Sequence, residues 1–132
     1  MELRWLLQNL LDIRSLDLSS CQEELDDDAM RTSVGWQQYT SLMSLNLRTC
    51  SLITDASVDC ITEHAPNLAE LYIGYCGKIT DSALGYASMR LRKLKLLDVS
   101  GCSISDSDLM RLAGFSETGE LLDASAGNEI EI

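Results

Sequence analysis

The chain has 132 residues, 45% hydrophobic and 23% charged, and its 21 acidic residues against 10 basic ones give a formal net charge of −11. One domain of globular composition fits these values, and 8 glycines with one proline exclude collagen-like and proline-rich chains. The charge speaks against nucleic acid, whose phosphates call for lysine and arginine, and against anionic membrane surfaces.

No apolar run approaches the roughly 20 residues of a transmembrane helix. The opening segment MELRWLLQNLL has neither a basic start nor a small-residue cleavage site, so no signal peptide is expected. Five cysteines, an odd number, fit a reducing compartment, cytoplasmic or nuclear, better than secretion.

Residues 1–12 read as a helix, either of a preceding partial repeat or as an N-terminal cap. A repeat then starts: Ile13-Arg-Ser-Leu16-Asp-Leu18-Ser-Ser-Cys21, and Leu42-Met-Ser-Leu45-Asn-Leu47-Arg-Thr-Cys50. Two more copies follow, Leu68-Ala-Glu-Leu71-Tyr-Ile73-Gly-Tyr-Cys76 and Leu94-Lys-Leu-Leu97-Asp-Val99-Ser-Gly-Cys102. The cysteines are spaced 29, 26 and 26 residues apart. Within each unit two apolar residues alternate, as on one face of a strand. After each cysteine the apolar residues step by three, as in Val58 and Ile61, Leu84 and Ala87, Leu109 and Leu112, which is helix spacing. Thr or Ser before Asp at each helix start offers a capping oxygen and a carboxylate for the positive helix end. Pro66 ends one helix. The first unit carries three extra residues, placed around Trp36. Strand, helix and strand in succession make a parallel, right-handed crossover, and units with an apolar inside must stack. Parallel strands are expected near 15–18, 44–47, 70–73 and 96–99, with Leu16, Leu18, Leu45, Leu47, Leu71, Ile73, Leu97 and Val99 buried. Four repeats fill 13–115. Residues 116–132, with a Leu122-Asp-Ala-Ser125 echo of the repeat strand, are expected to form a degenerate fifth strand and an acidic tail.

The string LxxLxLxxCxxITDxxL, with Pro66-Asn67-Leu68 leading into a strand, resembles the cysteine-containing leucine-rich repeat of the F-box/leucine-rich-repeat proteins. The resemblance covers about residues 13–113. It implies an α/β fold: a short right-handed horseshoe segment, parallel sheet on the concave face and helices on the convex face. It further implies the substrate-recognition repeat region of an F-box-type ubiquitin ligase receptor, with ligase adaptor and cullin as partners through a region outside this chain. Ala65 stands where the family commonly has cysteine, three units lack Pro-Asn, and nothing before residue 13 is long enough for an F-box. The alternative is a structural repeat segment in a larger assembly, with no link to ubiquitination.

No catalytic, metal or cofactor site is expected. Cys21, Cys50, Cys76 and Cys102 should lie in a row at the strand spacing of about 4.8 Å, whereas zinc needs four ligands converging on a point. Cys60 reads as core filler. His64, the only histidine, sits in the last turn of a helix with no nucleophile motif to serve. The run Arg90, Arg92, Lys93, Lys95 reads as cations at a helix C-terminus and sheet edge. Asp26, Asp27 and Asp28 lack the spacing of a calcium loop and read as helix-start charge.

The candidate site is the concave face, whose side chains alternate with the buried ones. They form three columns: Ser15, Ser44, Glu70, Leu96; Asp17, Asn46, Tyr72, Asp98; and Ser19, Arg48, Gly74, Ser100. Tyr72 is the expected anchor, with Asn46, Arg48, Glu70 and Asp98 around it, for a basic or mixed-charge protein partner. Five strands would offer only about 400 Å², half of the roughly 800 Å² of a standard interface.

Overall fold

Alternating apolar residues in each unit do form short strands: β1 (Ser15–Asp17), β2 (Ser44–Asn46), β3 (Glu70–Tyr72) and β4 (Leu96–Asp98). The computed structural model describes residues 9, 12–35, 38–105, 107–108 and 129–131. All three pairings among these strands are parallel, and Leu16, Leu45, Leu71 and Leu97 lie in one register row. Each strand is one residue shorter than the spacing predicts. The next residue still pairs, as when Leu18 N–H donates to Asn46 O at 2.8 Å and Leu47 N–H to Tyr72 O at 2.7 Å.

Among the described residues three helices return the chain behind the sheet: α1 (Asp27–Val34), α2 (Asp55–His64) and α3 (Asp81–Arg90). α2 and α3 are capped as expected, Thr54 accepting from Ala56 N–H at 3.2 Å and Thr80 from Ser82 N–H at 3.4 Å, whereas α1 is capped by Asp26, which accepts from Ala29 N–H at 2.7 Å. α2 stops at His64, one residue ahead of the Ala65-Pro66 pair. Between sheet and helices lie Leu18, Leu45, Leu47, Leu71, Ile73, Leu97 and Val99, all buried. Leu16 is only half-buried, because β1 has a paired strand on one side alone among the described residues.

The first unit departs from the others where its extra residues fall. α1 has 8 residues against 10 in α2 and α3, and its return loop is correspondingly longer. Tyr39 fills that loop. It is buried, its N–H donates to His64 O at 2.8 Å, and it occupies the repeat position of Ala65 and Leu91.

Of the N-terminal helix expected over 1–12, Asn9 and Asp12 are described, and Asn9 is helical. The fifth strand expected at 122–125 lies outside the described residues. A strand β5 (Glu129–Glu131) pairs antiparallel with β4. Among the described residues no helix is long and apolar enough to cross a membrane.

Two ladders tie one unit to the next. On the helix-start side, Asp27 accepts from Thr54 N–H at 2.9 Å, from Thr54 Oγ1 at 2.6 Å and from Ser57 Oγ. Asp55 accepts likewise from Thr80 N–H at 2.7 Å and from its hydroxyl, and Asp81 from Ser105 N–H at 2.8 Å. These aspartates do more than sit at a dipole: Asp27 and Asp55 each anchor the cap of the following helix. Burial pushes the Asp27 carboxyl up, but the hydroxyls of Ser57 and Thr54 and their N–H groups outweigh it and hold it below the usual range. A depressed folded-state value contributes stability above the unfolded value near 3.9, and that stability is lost as pH falls through the folded value. Asp27→Asn should therefore flatten the acid limb of the stability profile, as read by urea unfolding between neutral pH and about pH 3.

The second ladder is the cysteine row. Cys50 Sγ donates to Leu18 O at 3.6 Å, Cys76 Sγ to Leu47 O at 3.2 Å and Cys102 Sγ to Ile73 O at 3.0 Å. In each case the acceptor lies three residues before the previous unit's cysteine. Burial pushes the thiols up, to about 11 for Cys50, about 12 for Cys76 and about 11 for Cys102, so at neutral pH they remain protonated donors. None of the five cysteines is in a disulfide. Since the thiolate is the reactive form, Cys50 and Cys76 should resist Ellman's reagent in the folded chain and react only on unfolding, with half-buried Cys21 labelled first. Rapid labelling of Cys76 would contradict the ladder.

Candidate concave interface

The sheet register brings two of the three predicted columns together. Ser15, Ser44, Glu70 and Leu96 are neighbours, and so are Asp17, Asn46, Tyr72 and Asp98. The second column has a local task in three of its four units. Asp17 Oδ1 accepts from Ser19 N–H at 2.9 Å and Ser19 Oγ at 2.6 Å. Asn46 Oδ1 accepts from Arg48 N–H at 3.0 Å, and Asp98 Oδ1 accepts from Ser100 N–H at 3.0 Å and Ser100 Oγ at 2.6 Å. An Asp or Asn accepting from the N–H two residues on is the turn these side chains favour, and it ends each strand. The serine bonds hold the Asp17 carboxyl below its usual range. Tyr72 breaks the series: the third unit places an aromatic ring where the others place a turn former.

Arg48 organises the space around that ring. Its guanidinium lies 4.9 Å from the Tyr72 ring centroid and reaches across β3 to Asp98, Nε to Oδ2 at 2.5 Å. The Tyr72 hydroxyl stands 3.5 Å from Glu70 Oε2. Gly74, in the Arg48 column between the two partners, makes the crossing possible. A Cβ there would come within 2.9 Å of Asp98 Oδ2.

Asn46, Arg48, Glu70 and Tyr72 are thus brought together, each partly exposed. Asp98 belongs to the cluster but not to its exposed surface: it is 1% exposed, and its carboxylate is taken up by Arg48 and Ser100. The physical reason is that Arg48 folds down onto it through the gap at Gly74. Ser100 and Gly74 are the members that sequence reasoning left out of the site. The Asp-x-Ser spacing, shared by the first and fourth repeat strands at Asp17 and Asp98, was the available signal for the first.

On the convex side, the basic run divides. Arg90 ties α3 to α2 through Asp59 and Thr62 and lies over Tyr86, while Arg92, Lys93 and Lys95 are exposed. His64 is half-buried, with its Nδ1 3.2 Å from Gln38 Nε2. Asp26 caps α1, Asp27 joins the next unit, and Asp28 pairs with Arg31. Among the described residues no group of histidine, cysteine or carboxylate side chains converges as a metal site.

Residues 90–113 match the leucine-rich repeat family. The fold is similar to that of the tropomodulin C-terminal domain of Caenorhabditis elegans, with a TM-score of 0.63 over 86% of this chain and 72% of that one. At 10% identity that likeness concerns the fold alone. The stacked parallel strands with helices behind them, the repeat match and the shared architecture together identify a short leucine-rich-repeat solenoid.

Proposed function

We propose that this chain is a protein-interaction module whose concave face, centred on Tyr72, receives a polypeptide partner. The supporting observation is the substitution of a ring for a turn-forming Asp or Asn at Tyr72, with Asn46, Arg48 and Glu70 half-exposed around it. A rigid amphipathic ring with polar neighbours is the composition of a binding anchor. The Arg48 charge is partly exposed but offset by Asp98, so the carboxylates of Asp17 and Glu70 set the net sign of the face. A basic or mixed-charge partner complements them, and its association should slow as salt rises. Proteins retained by the immobilised chain are compared with those retained by Tyr72→Ala and by a helix-face control, Glu63→Lys. Loss with Tyr72→Ala alone supports the assignment, and equal loss with the control places the partner on the convex side.

The finer reading is the substrate-recognition segment of an F-box-type ubiquitin ligase receptor. It is supported by the likeness of the four cysteine-ending units to that family's repeats. Co-purification of ligase adaptor and cullin subunits with the tagged protein tests it. Their absence favours a scaffold segment unconnected to ubiquitination.

A further inference from the structure

We propose that Tyr75 is a second binding anchor, set on the rim at the C-terminal ends of the strands, for a polypeptide segment carrying an apolar side chain flanked by lysine or arginine. This rests on the concave face being the interaction surface and extends it.

Backbone geometry comes first. The residue before the cysteine is left-handed in three successive units: Thr49 at φ +64°, Tyr75 at φ +60° and Gly101 at φ +68°. Glycine adopts that conformation freely, whereas a residue with a Cβ is strained there. Thr49 recovers part of the cost through its hydroxyl, which donates to Arg48 O at 2.6 Å. Tyr75 does not recover it by burial, for it is 63% exposed. Its ring rests on Gly101, where a Cβ would lie only 2.6 Å from Tyr75 Cδ1. The fold would be served as well by glycine at 75, as it is by Gly101 one unit later. A strained, exposed ring held against a neighbouring glycine is a pre-oriented contact residue, and such strain gathers at ligand-binding positions.

Area points the same way. Strands of three residues are about 10 Å long, so four of them at about 4.8 Å present only about 200 Å². A stable partner needs roughly 800 Å² and must therefore reach past the strands. Tyr75 lies three residues beyond Tyr72, at most about 10 Å along the chain, across the low surface left by Gly74. Charge selects the occupant. The rim positions Thr49, Tyr75 and Gly101 are uncharged, while the adjoining face exposes Glu70 and Asp17. A segment that seats an apolar side chain on Tyr75 and runs on across the strands lays its further residues over those carboxylates, which lysine or arginine complements.

Short random peptides displayed on phage are selected against the wild-type chain. Their binding is then measured to wild type, Tyr72→Ala and Tyr75→Gly, with the urea midpoint of each protein. The expected result is peptides with an apolar residue flanked by lysine or arginine. Tyr75→Gly should weaken their binding about tenfold or more, with a urea midpoint no lower than wild type. If Tyr72→Ala weakens binding and Tyr75→Gly does not, the rim anchor is wrong and the concave-face reading stands. If neither does, both fall. A lowered midpoint for Tyr75→Gly would make the ring a structural prop and overturn the proposal. So would a selection that yields no binders, or only acidic or uncharged ones.

Discussion

Leu71→Ala should lower the unfolding free energy by about 2–5 kcal/mol, the range for truncating a fully buried leucine. Leu71 is 0% exposed and sits at the centre of β3, with Leu45 and Leu97 in register on either side. Both flanking strands are held by main-chain hydrogen bonds, so the cavity cannot close by a shift of one neighbour. In a stack where each unit contacts only the adjacent ones, a defect in the third unit weakens two interfaces at once. Leu16 provides the internal comparison. It holds the same repeat position but is half-buried on β1, so Leu16→Ala should cost well under half as much. Urea unfolding of the two variants measures the difference. Equal losses would mean that the first unit is as well covered as the third.

How much of this was legible in the sequence depends on the distance over which each feature is decided. Strands, helices and caps follow from residues within one unit, and the repeated apolar pattern ending in cysteine carries that information four times over. The inter-unit ladders were not legible in the same way. Asp27 and Thr54 become partners only once the stacking register is known, and in isolation the aspartate reads as helix-start charge. Arg48 and Asp98 lie 50 residues and two units apart, and the glycine between them was the only hint. Two columns of the concave face follow the sheet register as expected, yet period-two alternation says which way a side chain leaves the strand and not what then folds over it. Asp98 is the case in point, an outward-facing carboxylate that ends buried beneath an arginine. Tyr75 was hidden for another reason. Thr, Tyr and Gly share no propensity, so the left-handed position they occupy leaves no pattern to read.

Arg48→Met should cost about 2–3 kcal/mol. Removing one partner of a fully buried ion pair typically costs about 3–5 kcal/mol, because the other charge is left without compensation. Here the Asp98 side chain is 2% exposed but Arg48 is 41% exposed, so water already screens part of the interaction and the lower figure applies. Methionine keeps most of the aliphatic stem, so the loss reports charge more than packing. Asp98 would retain the Ser100 N–H and hydroxyl, which lessens the penalty without removing it. The double variant Arg48→Met with Asp98→Asn separates the two contributions. Asparagine still accepts from Ser100 while carrying no charge, so stability should recover by about 1 kcal/mol or more relative to Arg48→Met alone. Gly74→Ala approaches the same contact from the other side. Its Cβ would press on the Asp98 carboxylate, and the expected cost is about 1–3 kcal/mol with both charges intact. If Arg48→Met proves neutral while Gly74→Ala does not, the bridge is a surface contact of little worth and Asp98 is held by Ser100 alone. If both destabilise and the double variant recovers, the concave face is braced by a charge pair spanning three units, and Tyr72 is offered to a partner on a rigid floor.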